Sequence, residues 1–153
     1  MITRYFYHRV WLAIVASFLV PLASQAQQQP HEGTAKLHIA IEATQTGGQI
    51  VIALFDSADA FDNGGRPVRG QRVDVTATAL SAEFDGLPAG TCAMKAFHDQ
   101  NGDGELTKNP FDLPIEPFAF SAGAQANYGP PKFEAAKITV SAGSNTETLS
   151  FQP

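Results

Sequence analysis

The sequence has little of what would identify an enzyme class or a disulfide-stabilised secreted domain. It contains one cysteine, Cys92, so no internal disulfide can form, and stability must come from the core, from metal, or from both. Cys92 lies in an apolar run, which favours a small buried hydrophobe over a reactive nucleophile. The sequence also lacks G-x-S-x-G, H-E-x-x-H, C-x-x-C and phosphate-loop motifs, and no βαβ pattern surrounds Gly102-Asp103-Gly104.

Basic residues are scarce, and two of them fall in a segment with the features of a signal peptide. Arg4 and Arg9 flank the start of an apolar run that ends at Leu22, and small residues favour cleavage after Ala26. An uncleaved membrane anchor is the alternative. Residues 1–26 are thus predicted to direct export to the periplasm or beyond the cell, with residues 27–153 as one domain, ordered over about 34–152.

The predicted mature chain is acidic. It carries eight basic and fifteen acidic residues, which gives a net charge of −7. This charge argues against nucleic acid or an anionic membrane surface as the partner.

The mature chain lacks a convincing helical period and instead shows short runs in which side chains alternate. The run Gln49–Phe55 is apolar on both faces and is expected to be a central strand, followed by a loop that Phe61 anchors in the core. Residues 137–140 and 146–151 are expected to form a hairpin. The other predicted strands are 36–43, 72–78, 80–84 and 91–98.

Short strands at regular intervals, separated by Gly/Pro turns, predict an all-β fold. We expect a single antiparallel Greek-key β-sandwich, immunoglobulin-like or prealbumin-like, with about seven strands. One long irregular segment, from Asp99 to about Ala135, is rich in proline and aromatic residues. A connection of that length tends to be functional, and most of its aromatic residues are expected to pack onto the sandwich.

Four segments of the chain resemble known sequences. The turn Phe84-Asp85-Gly86-Leu87-Pro88-Ala89-Gly90 is similar to one in prealbumin-like and carboxypeptidase-regulatory-like sandwiches. Residues 98–106, 114–121 and 129–136 resemble a bacterial family of exported proteins known only as a domain of unknown function. The resemblance implies an exported single-domain β-sandwich without an assigned activity. That family usually has tyrosine where this chain has Cys92.

The most informative stretch is the D-x-N-x-D-G pattern that begins at Asp99. Alternate side chains can turn oxygen atoms toward one centre, and the glycine permits a sharp bend, as in a calcium loop. The side chains of Asp99, Asn101 and Asp103 and the carbonyl of Glu105 are the predicted Ca²⁺ ligands. An EF-hand is excluded because Pro110 occupies its twelfth position and no helices flank the loop. The nearest candidates for a further ligand are Asp112, Asn109 and Glu116.

The same residues permit other interpretations. The loop could be an Asx-type turn, in which polar side chains cap their own backbone. His98, Asp99 and Glu116 could serve an envelope hydrolase if they converge in one pocket, although His98 fits a polar strand end. Phe118, Phe120 and Tyr128 could instead form a face for a small ligand or glycan.

We therefore predict an exported, non-enzymatic β-sandwich protein. Calcium would brace the irregular segment as an interaction surface for an unknown protein or glycan partner.

Overall fold

A computed structural model of the chain describes residues 34–152. The predicted signal peptide, residues 1–26, lies outside these residues. Within residues 34–152, no helix combines the length and the apolar character needed to cross a membrane. The elements in chain order are β1 Ala35–Glu42, β2 Gln49–Phe55, α1 Ala58–Asp62, β3 Arg69–Asp74, β4 Ala79–Leu87, β5 Gly90–Asp99, β6 Phe118–Phe120, a 3₁₀ turn Ser121–Gly123, α2 Phe133–Ala136, β7 Lys137–Val140 and β8 Gly143–Ser150.

The strands form two sheets, which confirms the predicted all-β sandwich. One sheet has three strands in the order β4-β1-β8, and the other has five, with β3-β2-β5-β6 in order and β7 also on β5. Strands β6 and β7 share one edge of the ten-residue β5, since β7 pairs with residues 90–93 and β6 with residues 95–97. The described part of the chain, residues 34–152, contains eight strands where about seven were expected.

The predicted hairpin between residues 137–140 and 146–151 is wrong. Strand β7 pairs with β5, whereas β8 lies parallel to β1 in the other sheet, the one parallel pair of this otherwise antiparallel sandwich within residues 34–152. The crossing between the sheets is held by Asn145, whose side chain accepts the N–H of Ser141 at 3.0 Å and donates to its carbonyl at 2.7 Å. Val140 and Leu149 are both buried, so each strand contributes to the core from its own sheet.

The main core lies between the two sheets and follows the alternation in the sequence. Strands β1 and β2 direct every second residue inward, because successive side chains of a strand point to opposite faces. Cys92 belongs to this core at 7% exposure, as predicted. Its fully buried members include Leu37, Ile39, Ile41, Ile50, Ile52, Leu54, Met94, Val140 and Leu149.

A second apolar cluster covers the outer face of the five-stranded sheet. Phe61 of α1 is fully buried there, edge-on to Phe55 and Phe133 at centroid distances of 5.5 and 5.8 Å. The ammonium of Lys95 lies 4.3 Å from the Phe61 ring centroid. The prediction that Phe61 anchors its loop is confirmed, although it packs in this second cluster. The covering also explains why both faces of β2 are apolar.

The two short helices were not predicted, because helices this short show no periodic pattern. Ser57 accepts the N–H of Ala60 and caps α1. The carboxylate of Asp62 accepts the N–H of Phe133 at 2.8 Å and thus connects α1 to α2. The end of the irregular segment, from Phe133, therefore lies against the sheet.

Candidate functional site

The candidate site begins where β5 ends, at the edge of the five-stranded sheet. Asp99 is the last residue of β5, pairs with Gln49 of β2, and is fully buried. A side chain on Gly48 would collide with the carbonyl of Asp99, and Gly48 has a positive φ of 67°. The strand end is therefore closely covered before the chain turns into the polar loop, residues 99–106.

The carboxylate of Asp99 organises the polar loop from inside. Its Oδ1 accepts the N–H of Gly102 at 2.7 Å, and its Oδ2 accepts the N–H of Gly104 at 2.9 Å. Both glycines have φ near +80°, a conformation that disfavours other residues. The two glycines of the motif are therefore required by the bend that brings their N–H groups onto Asp99.

Asn101 and Asp103 each accept a backbone N–H two residues ahead. Asn101 Oδ1 accepts from Asp103 at 2.9 Å, and Asp103 Oδ1 accepts from Glu105 at 2.8 Å. The Asn101 amide also donates to Asp103 Oδ2 at 2.8 Å and to Thr107 Oγ1 at 3.0 Å. This is the hydrogen bonding of the Asx-type turn that the sequence left open as an alternative.

Glu116 closes the loop from the other side. It is 4% exposed, and its two oxygens accept the N–H groups of Gln100 at 2.8 Å and Thr107 at 2.9 Å. One carboxylate thereby connects the beginning of the polar loop, its end and the strand that returns to the sheet. The sequence identified Glu116 as a candidate ligand or catalytic acid but gave no sign of this bridging role, which depends on contacts across 16 positions.

Residues 107–116 form a small hairpin, which we call the projecting hairpin. The N–H of Ile115 donates to Thr107 O at 3.0 Å, and the N–H of Asn109 donates to Leu113 O at 2.9 Å. Lys108 and Pro114 form an isolated antiparallel bridge between its two arms. The hairpin is therefore an ordered extension of the polar loop.

The tip of the projecting hairpin is fixed by polar side chains. Asn109 Oδ1 accepts the N–H groups of Phe111 at 2.9 Å and Leu113 at 3.1 Å. Lys108 pairs with the carboxylate of Asp112 at 2.9 Å, and Asp112 has a positive φ of 63°. The tip is thus held in one conformation by local bonds.

Three large apolar side chains of this hairpin are exposed to solvent. Phe111, Leu113 and Ile115 are 83%, 59% and 61% exposed; Phe111 lies at the tip, and Leu113 and Ile115 follow it on the returning arm. The sequence did not indicate their exposure, because no period holds across the irregular segment. An exposed apolar group on an ordered support marks an interaction site more often than a stability role.

The predicted calcium ligands are partly brought together. Asp99, Asn101 and Asp103 all turn onto the polar loop instead of splaying into water, but each of their oxygens already has a hydrogen-bond partner. Within residues 34–152, no group of three or more His, Cys, Asp or Glu side chains is arranged to hold a metal ion. Bound calcium therefore stays a prediction.

Three nearby residues bear on that prediction. Asp112 directs its carboxylate to Lys108 at the hairpin tip, and Glu105 is exposed with its N–H on Asp103. A Cβ placed on Gly104 would lie 2.9 Å from Arg72 Nη2, so a guanidinium already packs against the loop. Arg72 was not identified from the sequence, because strand β3 is distant along the chain.

The structure gives His98, Asp99 and Glu116 separate structural contacts. His98 is fully buried, and its Nε2 lies 2.6 Å from the carbonyl of Gly47. Adjacent residues of a strand point to opposite faces, so His98 and Asp99 diverge from β5. Asp99 and Glu116 hold backbone N–H groups, as described above. The convergence that a hydrolase would require is not among the hydrogen bonds of residues 34–152.

The three aromatic residues considered for a ligand face have different environments. Phe120 is 9% exposed and belongs to the second apolar cluster, with Phe118 packed edge-on to it at 5.8 Å. Tyr128 is fully exposed. The expectation that most aromatic residues of the segment pack onto the sandwich therefore holds for Phe118, Phe120 and Phe133, but not for Phe111 and Tyr128.

Comparison with known proteins places the chain in a family. It belongs to the family described as an uncharacterized protein conserved in bacteria, DUF2141, whose sequence pattern matches residues 39–148. The match runs from the second half of β1 to most of β8 and includes the polar loop and the projecting hairpin. No match was found among curated proteins, and none among solved structures.

Proposed function

We propose that this DUF2141 protein is an exported, non-enzymatic interaction protein that presents the projecting hairpin to a protein partner outside the cytoplasm. Export rests on the signal-peptide features of residues 1–26. The partner class rests on the aliphatic and aromatic character of the hairpin tip, which suits an apolar protein groove.

The observation that carries this proposal is the exposure of Phe111, Leu113 and Ile115 on an ordered hairpin. A binding segment that is already ordered loses less conformational entropy on association. The bonds from Asn109 and the clamp formed by Glu116 supply that order before any partner arrives.

The non-enzymatic part of the proposal rests on how the polar groups are used. Asp99 and Glu116, the two buried acids of the site, each hold two backbone N–H groups. Such groups are unsuited to proton transfer, because a general acid or base must reach the substrate and change its protonation state.

Photocrosslinking in the producing bacterium tests the interaction. A photoreactive phenylalanine analogue at position 113 is expected to give one discrete adduct in the envelope fraction, and the same analogue at Glu134, an exposed residue of α2, none. Phe111→Ser and Ile115→Ser, which leave position 113 unchanged, should abolish the adduct. An adduct that survives both substitutions would contradict the proposal.

We also propose that calcium braces the polar loop. The support is the turning of the Asp99, Asn101 and Asp103 oxygens onto one loop, together with the capacity of a carboxylate to accept about four contacts. The amide of Asn101 would need to turn, since its N–H group now faces Asp103. The ion would replace the Asn101 bonds to Asp103 and Thr107, while Asp99 keeps the N–H groups of Gly102 and Gly104.

Calorimetric titration with calcium, and melting with and without chelator, test this brace. We expect a dissociation constant on the order of 10⁻⁴ to 10⁻³ M, as in extracellular modules. At tenfold excess over that constant, the free energy of unfolding should rise by about 1.4 kcal/mol. Asp103→Asn should remove the effect and Glu105→Gln should not, because the predicted ligand at 105 is a backbone carbonyl. The absence of heat and of a melting shift would eliminate the ion but not the hairpin interaction.

A further inference from the structure

A cavity of about 350 Å³ opens at the end of the sandwich away from the polar loop. The pairing of β2 with β5 distinguishes the two ends of the sandwich. Gln49 pairs with Asp99 at the end with the polar loop, and Phe55 pairs with Ala93 at the other end. The cavity lies at the second end, against residues of both sheets. Its volume is at the lower end of the range for small-molecule sites, roughly 300–1,000 Å³.

The inner wall of this cavity is apolar. Leu54, Leu87, Cys92 and Val140 line it, and each is at most 7% exposed. Burial raises the pKa of the Cys92 thiol to about 11, so this group is neutral at physiological pH. The wall therefore offers a bound molecule apolar surface without charge.

Two opposite charges line the same cavity, Asp56 and Arg69. Leu54 is the register partner of Arg69, and Asp56 follows Leu54 by two residues. The two residues therefore lie at the same end of the β2–β3 pair, where both line the cavity. Both residues are exposed toward solvent.

Neither charge forms an ion pair within residues 34–152. Arg69 donates from Nη1 to the carbonyl of Val68 at 3.1 Å, which leaves most of its five N–H groups free. Other acids have protein partners, as Asp62 has the N–H of Phe133 and Glu83 has Lys36. Two free and opposite charges beside an apolar wall are a different arrangement from these structural pairs.

We propose that the cavity binds the zwitterion of a free α-amino acid with an apolar side chain. The ammonium would pair with Asp56, the carboxylate with Arg69, and the side chain would lie against Leu54, Leu87 and Val140. This site is separate from the projecting hairpin, so it goes beyond the proposed function and does not depend on it.

Charge complementarity selects this ligand over simpler amphiphiles. A fatty acid would pair with Arg69 but bring its carboxylate close to that of Asp56. An alkyl amine would pair with Asp56 but bring its ammonium close to the guanidinium of Arg69. A zwitterion satisfies both charges and adds no net charge to the site.

Titration of ¹⁵N-labelled protein with L-leucine tests the site directly. Saturable shifts are expected at the amide signals of Gly90, Thr91 and Val140, which line the cavity. N-acetyl-leucine, which lacks the ammonium, and leucinamide, which lacks the carboxylate, should each bind at least about tenfold more weakly, since each loses a charge-assisted hydrogen bond. The dipeptide Leu-Leu, which separates the two charges, should also bind more weakly than leucine.

Substitutions assign each charge to its end of the ligand. Asp56→Asn should remove the preference for leucine over N-acetyl-leucine and keep the preference over leucinamide. Arg69→Gln should do the opposite. Asp59→Asn and Arg66→Gln, which remove the same charges three residues away and do not line the cavity, should retain both preferences.

Three results would overturn the proposal. The first is the absence of saturable shifts with leucine. The second is equal affinity for leucine and both of its analogues. The third is an equal loss in the control variants, which would show a general charge effect. All three measurements are independent of the hairpin adduct, so either proposal can fail alone.

Discussion

The two ends of the sandwich use charged and apolar side chains in opposite ways. At the end with the polar loop, Asp99 and Glu116 are buried, and apolar side chains such as Phe111 stand in solvent. At the end with the cavity, Leu54 and Leu87 are buried, and the charges stand at the surface. Both ends thus contain charged and apolar side chains, but the type that is buried at one end is exposed at the other.

This contrast separates structural charges from charges that remain available for a ligand. A buried carboxylate must have hydrogen-bond donors, because leaving it unpaired costs several kcal/mol. Glu116 meets that requirement with backbone N–H groups and is thereby committed. Asp56 is exposed and forms no ion pair within residues 34–152, so its carboxylate is open to a ligand that brings a compensating charge. A buried carboxylate with complete hydrogen bonding indicates a structural role. An exposed carboxylate beside an apolar wall indicates a binding site.

The largest expected effect compares one carboxylate from each end. Glu116→Ala removes two charge-assisted hydrogen bonds and should destabilise the segment by about 2–4 kcal/mol. Asp56→Ala removes an exposed carboxylate and should change the free energy of unfolding by less than about 0.5 kcal/mol. Denaturant unfolding gives the global values, and hydrogen exchange at the amides of Gln100 and Thr107 gives the local one.

Hydrogen exchange shows whether Glu116 stabilises the polar loop alone or the whole sandwich. Loss of protection at Gln100 and Thr107 with an unchanged global transition would show that the loop opens separately from the sandwich. Equal losses of global stability and of protection in Glu116→Ala and Asp56→Ala would contradict the distinction between the two ends.

The strands could be predicted where the side chains themselves carry the signal. Strand β2 was predicted at its observed bounds, and β1 and β5 within one residue of theirs, because inward and outward positions alternate there. The hairpin of β7 and β8 was not predictable in this way. A short turn between two strands suggests direct pairing, and only the Asn145 bonds and the burial of both strands reveal the crossing.

The candidate site was predictable in position but not in chemistry. Alternating Asp and Asn oxygens with glycines are required equally by a calcium loop and by an Asx-type turn, so the spacing alone cannot distinguish them. The clamp by Glu116 and the guanidinium of Arg72 come from other parts of the chain. The juxtaposition of Asp56 and Arg69 depends on the β2–β3 register, which no local pattern records.

The second prediction concerns the cavity end and its thiol. Burial is the main cause that raises the pKa of Cys92 to about 11, with smaller contributions from the acids Glu147 and Asp56. Between the ordinary thiol pKa and about 11, the unfolded chain loses this proton while the folded chain retains it. The free energy of unfolding should therefore fall as pH rises, by roughly 1–2 kcal/mol from this group at about pH 10.

Comparison with Cys92→Ala isolates that contribution. The variant loses stability at every pH because it leaves a small void, but it lacks the thiol and its pH dependence. Denaturant unfolding at about pH 7 and pH 10 gives the change in the free energy of unfolding with pH for each protein. Lysine titration affects both proteins equally, so it cancels when the two changes are subtracted. Equal slopes would show that Cys92 is open to water, and the wall of the cavity would then be less apolar than its burial indicates.

The smallest expected effect lies at the hairpin tip, where a large change of chemistry should leave the fold almost untouched. Replacing Phe111, Leu113 and Ile115 together by serine removes apolar surface that is mostly exposed in the folded chain. We expect the free energy of unfolding to change by less than about 0.5 kcal/mol, and the protection of the Leu113 and Ile115 amides to persist. These amides remain bonded to Asn109 and Thr107, so the hairpin keeps its shape without its apolar groups. A loss of more than about 1 kcal/mol would assign these side chains to folding. Preserved stability would show that the fold does not need these three apolar side chains. Binding of a partner would then be the explanation for their exposure.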